Sequence, residues 1–234
     1  MKRPFTACDE IILNNKRFLY LNDDNPYRAY LDSSLSFVAQ PSKGQKINKE
    51  NNIVSVPLLM SDEWDIINED NNLIHELRQT KKEYDYLFIG QCHYMGREKF
   101  KTINLNNYYF RENRAGIFHL NKKDKKKELI KFLKEIAKSR FIFCPRGIGS
   151  SSFRLYQTMM VGSVPIETGM NDYPFSDEVE WSKFCISGDL DNLEELIDSS
   201  KNVDYEEYSR NAKSFWDNYC RHNKLVEKLE ERYG

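Results

Sequence analysis

The stretch from Phe141 to Ile166, FIFCPRGIGSSSFRLYQTMMVGSVPI, constrains the fold of this chain more than any other. Phe141-Ile142-Phe143-Cys144 is a short apolar run that stops at Pro145, the pattern of a strand buried on both faces in a parallel sheet. Arg146 to Ser152 then supplies glycines that tolerate unusual backbone angles, serines that can cap a helix, and a cation. A helical stretch from Phe153 to Val161 follows, Gly162 closes it as a C-cap, and Val164-Pro165-Ile166 opens the next strand. The unit reads as strand, loop, helix, strand. Unpaired N–H groups and the helix dipole at the helix start, with Arg146 and Arg154 beside them, favour a bound anion such as a diphosphate. The glycine spacing, G-x-G followed by serines, lacks the third glycine of a dinucleotide fingerprint and the Lys of a P-loop. By local pattern alone it also fits the plain strand-to-helix turn of any doubly wound α/β protein.

The rest of the chain is read around that unit. Arg17 to Leu21, Leu35 to Ala39 and Ile53 to Leu59 read as strands separated by polar segments. A polar helical stretch near Asn71 to Lys82 leads to the strand Tyr84 to Ile89, which ends at Gly90. Lys122 to Ser139 places Leu129, Ile130, Leu133, Ile136 and Ala137 on one helical face. Its lysines are broken by Asp124, Glu128 and Glu135, so they form a solvated face and not a nucleic-acid patch. Asp191-x-x-Glu194 reads as a capping box opening a helix through Ile197, and Tyr205 to Tyr233 as one or two amphipathic helices.

Charge and cysteine usage exclude several classes. The 35 basic and 36 acidic residues nearly cancel, so no global field draws the chain to nucleic acid or an anionic membrane, and any anion must be bound locally. Five widely spaced cysteines without a C-x-x-C pair suggest neither a zinc knuckle nor a disulfide framework, and point to a reducing compartment. The start MKRPFTACDEIILNN carries no apolar run of signal-peptide length, and nothing approaches a membrane span. The expectation is a soluble cytoplasmic protein of a bacterium, or of a virus acting in its host's cytoplasm.

Extended to Trp181, the central unit resembles the exostosin-type glycosyltransferases. The shared elements are the strand ending Phe143-Cys144-Pro145, the loop Gly149 to Ser152, Arg154 on the helix, the turn Gly162-Ser163-Val164-Pro165-Ile166, and Tyr173-Pro174-Phe175-Ser176-Asp177 with Trp181. The resemblance implies an α/β fold of two facing Rossmann-like domains, the GT-B type, with the first reduced and a C-terminal helix returning toward it. The corresponding division is 1–70 for an acceptor-side domain, 83–215 for a nucleotide-sugar domain and 216–234 for the terminal helix, with the linker near 61–82. It further implies inverting, metal-independent transfer of a sugar from a UDP- or GDP-sugar to a glycan hydroxyl, with no cofactor required.

On this reading the donor is held by Arg97, Arg146, Gly149, Ser150, Ser151, Ser152, Arg154, Gln157, Glu167 and Asp172. Members usually carry a Glu where this chain has Gln157; the neutral amide makes an ordinary hydrogen bond of a charge-assisted one, a loss of about 1 kcal/mol. Asp23 and Asp24 follow an apolar strand directly and are the candidates for the general base. Two other readings stay open. Asn22-Asp23-Asp24-Asn25 and Asp189-Leu190-Asp191 have the look of a metal-holding Asp-x-Asp in a different transferase class, and Gln157 would also suit a nucleotide-sugar-binding partner without turnover.

Overall fold

Three strands with apolar residues on both sides can only be buried in the middle of a sheet that is covered twice. The computed structural model describes residues 8–13, 16–21, 36–38, 53–59, 66–67, 70, 72–93, 95–113, 120–147, 150–170 and 172–233, and it places those three strands side by side. They are β5 (Tyr84–Gly90), β7 (Ser139–Pro145) and β8 (Val164–Thr168). The edges are β6 (Tyr108–Glu112) and β9 (Ile186–Gly188), and all pairings in the order β6-β5-β7-β8-β9 are parallel.

Alternate residues of each central strand feed separate cores. Leu87, Ile89, Ile142 and Cys144 face one side and pack against α1 (Leu73–Arg78), α3 (Lys122–Ile136), α4 (Phe153–Met160), α6 (Tyr205–Phe215) and α7 (His222–Tyr233). Tyr86, Phe88, Phe141, Phe143 and Ile166 face the other side, against α2 (Lys99–Thr102) and α5 (Leu193–Lys201). Phe88 and Phe100 stack with centroids 4.3 Å apart, and Phe100 meets Phe143 at 5.0 Å. Arg78 anchors α1 by forking its Nη1 and Nη2 onto Asp217, at 2.8 and 3.2 Å, while its Nε donates to the Met160 carbonyl.

A second sheet of four strands runs in the order β1 (Cys8–Leu13), β2 (Lys16–Leu21), β3 (Ser36–Val38), β4 (Ile53–Ser55). Only β1 and β2 are antiparallel. Val56, Leu58 and Leu59 continue from β4 into the first of the two cores, as do Leu73, Ile74 and Leu77 of α1, so the stretch read as a linker contributes apolar side chains to the core.

Several local readings need correction. β1, β6 and β9 carry no strong sequence signal and add three strands to those read from sequence. Asp191 is not the cap of α5: the Asp189 carboxylate accepts from the Asp191 N–H at 2.9 Å, capping a single tight turn over Leu190–Asn192, and α5 begins after Asn192 without a side-chain cap. The terminal stretch from Tyr205 is two helices, α6 and α7, joined by a wide helical turn, Trp216–Cys220, that keeps both Trp216 and Cys220 buried. Gly162 is a helix terminator as expected. At φ +75° it allows the Gly162 N–H to reach the Met159 carbonyl and the Ser163 N–H to reach the Thr158 carbonyl, closing α4 with a paired-bond motif.

Candidate functional site

In an open parallel sheet, ligands sit beyond the carboxyl ends of the strands where neighbouring connections leave in opposite directions. Counted from β5, the order here is 2-1-3-4-5, and the reversal falls between β5 and β7. The residues at those two strand ends are Gly90 and Pro145, and three arginines gather around them.

Arg97 follows the loop that leaves β5. Its Nη1 donates to the Gln91 carbonyl at 3.4 Å and its Nη2 to the carbonyl of Arg146, so it braces the ends of β5 and β7 against each other. Arg154 starts on α4, on one face of the sheet, and crosses the strand ends to lie 5.2 Å from the ring of Phe88 on the other face, donating to the Phe143 carbonyl at 3.4 Å. Burial holds its pKa down at about 10, against a smaller opposing effect of Cys144 and with a still smaller contribution from the Arg97 charge. Among the described residues no carboxylate pairs with Arg154.

Two glycines make room for these side chains, a role the sequence reading assigns to neither. A Cβ on Gly90 would stand 2.9 Å from Arg154 Nη2 and 3.1 Å from Phe88 Cζ. A Cβ on Gly169, whose φ is +99°, would stand 2.8 Å from Cδ of Arg146. A glycine at the end of an apolar strand is the available signal for Gly90, but its cause lies in a helix more than sixty residues later.

The loop between β7 and α4 adds neutral donors. Ser150 and Ser151 are each 3% exposed, and their hydroxyls have no hydrogen-bond partner among the described residues. Ser152 occupies the N-cap of α4 in extended geometry without a side-chain capping bond, so the helix start is open to another acceptor. Gly147 donates to the Ser151 carbonyl at 3.0 Å and closes the loop. Gln157 lies buried in α4. Gly149, Asp23 and Asp24 lie outside the described residues.

Glu167 and Asp172 frame the far side. Glu167 is buried near the end of β8 and both its oxygens are engaged: Oε1 accepts from the Met170 N–H at 2.5 Å, and Oε2 from the Tyr173 hydroxyl at 3.0 Å. Burial raises its pKa to about 7 in spite of those two bonds. Asp172 is half-buried, and burial raises its pKa too; Ser55, at the end of β4, sits close enough to favour the ionised form although its hydroxyl makes no bond of ordinary geometry.

The Tyr173 to Asp177 segment turns out to be a docking element. Tyr173 holds Glu167, the bulky Phe175 adopts a left-handed φ of +57° and packs 5.0 Å from the Tyr219 ring, and Asp177 and Glu178 pair with Arg232 of α7. Trp181 is core: it is 6% exposed, and its indole N–H donates to the Pro174 carbonyl at 2.9 Å. His93 is exposed. Both aspartates of the Asp189-Leu190-Asp191 triplet are exposed, Asp189 capping its own turn and Asp191 paired to Lys99 at 2.5 Å.

Residues 26–203, well over half of the chain, match the exostosin GT47 domain. The chain belongs to the exostosin GT47 family of glycosyltransferases. A protein of Arabidopsis thaliana named a probable glycosyltransferase is 26% identical over 141 residues, which are 60% of this chain. The chain spans 28% of that relative's length. The crystal structure of a glycosyltransferase from Rickettsia africae shares 14% identity, with a TM-score of 0.46 over 91% of this chain and 67% of that one. In this exostosin-family chain no helix among the described residues is long and apolar enough to cross a membrane.

Proposed function

We propose that the chain transfers a sugar from a nucleotide-sugar, a UDP- or GDP-sugar, to a glycan hydroxyl, with inversion and without a metal. The observation that carries this reading is the convergence of Arg97 and Arg154 at the strand-order reversal, where Arg97 also grips the backbone of Arg146, followed in the chain by two buried hydroxyls, Ser150 and Ser151, that have no partner among the described residues. Buried polar atoms without partners are costly, and two adjacent guanidinium groups repel. A diphosphate relieves both.

In the reaction the bond between the anomeric carbon and the diphosphate oxygen breaks while the acceptor oxygen attacks from the opposite face. Negative charge develops on the leaving diphosphate. Arg154 and Arg97, held in place before any ligand arrives, stabilise that charge in a site with little water, the condition under which fixed cations lower a barrier most. Arg146, which follows β7 and lays its stem along Gly169, adds a third cation in this reading. The acceptor's proton passes to a general base, for which Asp23 and Asp24 remain the candidates. The division into acceptor-side and donor-side domains is part of the same proposal.

The test is a melting-temperature series with UDP, GDP, CDP, ADP and dTDP, each with and without EDTA. A ligand that binds the folded state alone raises the melting temperature. The expected outcome is a rise selective for one nucleoside diphosphate that survives EDTA and vanishes in Arg154→Ala. No rise with any of the five would refute the donor site, and a rise abolished by EDTA would refute its metal independence.

A further inference from the structure

The sequence places Glu167 among the donor contacts, and its surroundings give it a different task. It stands one residue before the end of β8 and is 3% exposed, so it presents almost no surface to a ligand beyond the strand ends. Both of its oxygens are spent on the chain that follows, Oε1 on the Met170 N–H and Oε2 on the Tyr173 hydroxyl. The first of these bonds closes a tight loop from Glu167 to Met170, as polar side chains do when they replace a backbone acceptor in a turn. Within that loop the chain reverses at Gly169, whose φ of +99° is a left-handed value that favours glycine.

Arg146 rests on this turn. Its Cδ, Cγ and Cβ stand 2.8, 3.3 and 3.6 Å from the place a Cβ of residue 169 would take, so the stem fills the space that the glycine leaves. The Arg146 backbone is fixed from two sides: its N–H donates to the Thr168 carbonyl at 3.1 Å, and its carbonyl accepts from Arg97. A fixed backbone does not aim a long side chain, which keeps its rotamer freedom unless its stem is packed. The dependence therefore runs from the Glu167 carboxyl to the turn, from the turn to the Arg146 stem, and from the stem to the guanidinium. Removing the carboxyl leaves the Met170 N–H without its acceptor, and the turn must change shape to satisfy it.

We propose that Glu167 is a positioning residue: it sets the reach of Arg146 by shaping the turn beneath that side chain's stem, and it makes no contact with the donor. Its bearing on sugar transfer rests on the reading above, in which Arg146 is one of the cations that meet the diphosphate. Its hold on the geometry of Arg146 does not rest on that reading. Glu167→Gln keeps a carbonyl for the Met170 N–H and sets an NH₂ against the Tyr173 hydroxyl, which then accepts, so the turn and the arginine stay in place. Glu167→Met has nearly the same shape and no acceptor of comparable strength, so both are released.

The experiment takes two readouts on the full chain, its Glu167→Gln, Glu167→Met and Arg146→Ala variants, and the Glu167→Met/Arg146→Ala pair. Carbon-edited NOE spectra without ligand are expected to show the Arg146 δ-methylene against the Gly169 α-protons in the parent and in Glu167→Gln, and to lose that contact in Glu167→Met. Calorimetric titration with the nucleoside diphosphate that raises the melting temperature most is expected to give parent affinity in Glu167→Gln and a loss of about fivefold, the scale of one hydrogen bond, in Glu167→Met. The pair is expected to bind as Arg146→Ala does to within about twofold, the signature of a residue that acts only through its partner. Gly169→Ala, which displaces the stem and leaves Glu167 in place, is expected to reproduce the loss of Glu167→Met and takes its place should that variant not fold. An NOE contact that survives in Glu167→Met, unchanged affinity in Gly169→Ala, a loss in Glu167→Gln, or losses that add in the pair overturns the proposal, the last two by making Glu167 a donor contact. The expected NOE pattern in a parent that binds no nucleotide leaves the positioning role standing and removes the donor reading instead.

Discussion

Glu167→Gln isolates a single buried proton. In the folded chain the Glu167 carboxyl titrates at about 7, raised by burial from 4.5, and the unfolded chain releases the proton near the lower value. Between those values the folded state holds a proton that the unfolded state has lost, so stability falls as pH rises through the window. At about 1.4 kcal/mol for each pH unit by which the titration moves, the full effect is roughly 3 kcal/mol, of which about 2.5 kcal/mol falls between pH 5 and pH 8. The introduced amide keeps a carbonyl for the Met170 N–H and an NH₂ toward the Tyr173 hydroxyl, but it cannot ionise. Urea unfolding of both proteins at pH 5 and pH 8 measures the difference directly. The variant is expected to gain about 2.5 kcal/mol relative to the parent on going from pH 5 to pH 8. An equal offset at both values would refute the reasoning, because it would mean that Glu167 ionises in the folded chain as easily as in water.

Two further substitutions probe glycines. Gly90→Ala pushes a methyl against Arg154 and Phe88, and is expected to cost about 1–3 kcal/mol of stability and to weaken nucleoside diphosphate binding by about 10-fold or more through the lost charge-assisted bond; titration calorimetry showing unchanged affinity would refute the assigned fit. Gly162→Ala forces a side chain into a left-handed residue at the end of α4, and is expected to cost about 1–2 kcal/mol in urea unfolding while leaving nucleotide binding intact, with a loss below a few tenths counting against it.

What the sequence showed depended on burial. β5, β7 and β8 lie inside the sheet and read as continuous apolar runs, and the Gly162 stop marks its helix by chemistry local to a few residues. β6 and β9 are the two edges. β6 is only half-buried along its length, and β9 is three residues long with Ser187 and Gly188 exposed, so neither leaves an apolar or alternating trace. The site divides in the same way. Arg97, Arg146 and Arg154 could be picked out singly, since each stands beside a strand end or a helix start. Their convergence, and the need for Gly90 and Gly169, depend on strand order and on contacts between distant segments. Glu167 was legible as a polar residue ending a strand; that both its oxygens are taken up by Met170 and Tyr173 was not.

The tyrosine that holds Glu167 has a consequence for spectroscopy. Its ring lies 5.0 Å from the indole of Trp181, which is itself enclosed by Phe184 and Phe215 at 5.1 and 4.9 Å. Trp181 is therefore a buried fluorophore one side chain away from the proton on Glu167. With the other two tryptophans, Trp64 and Trp216, replaced by Phe, its emission is expected to follow that ionisation and so to report, without a label, the state of a carboxylate beneath the candidate donor site.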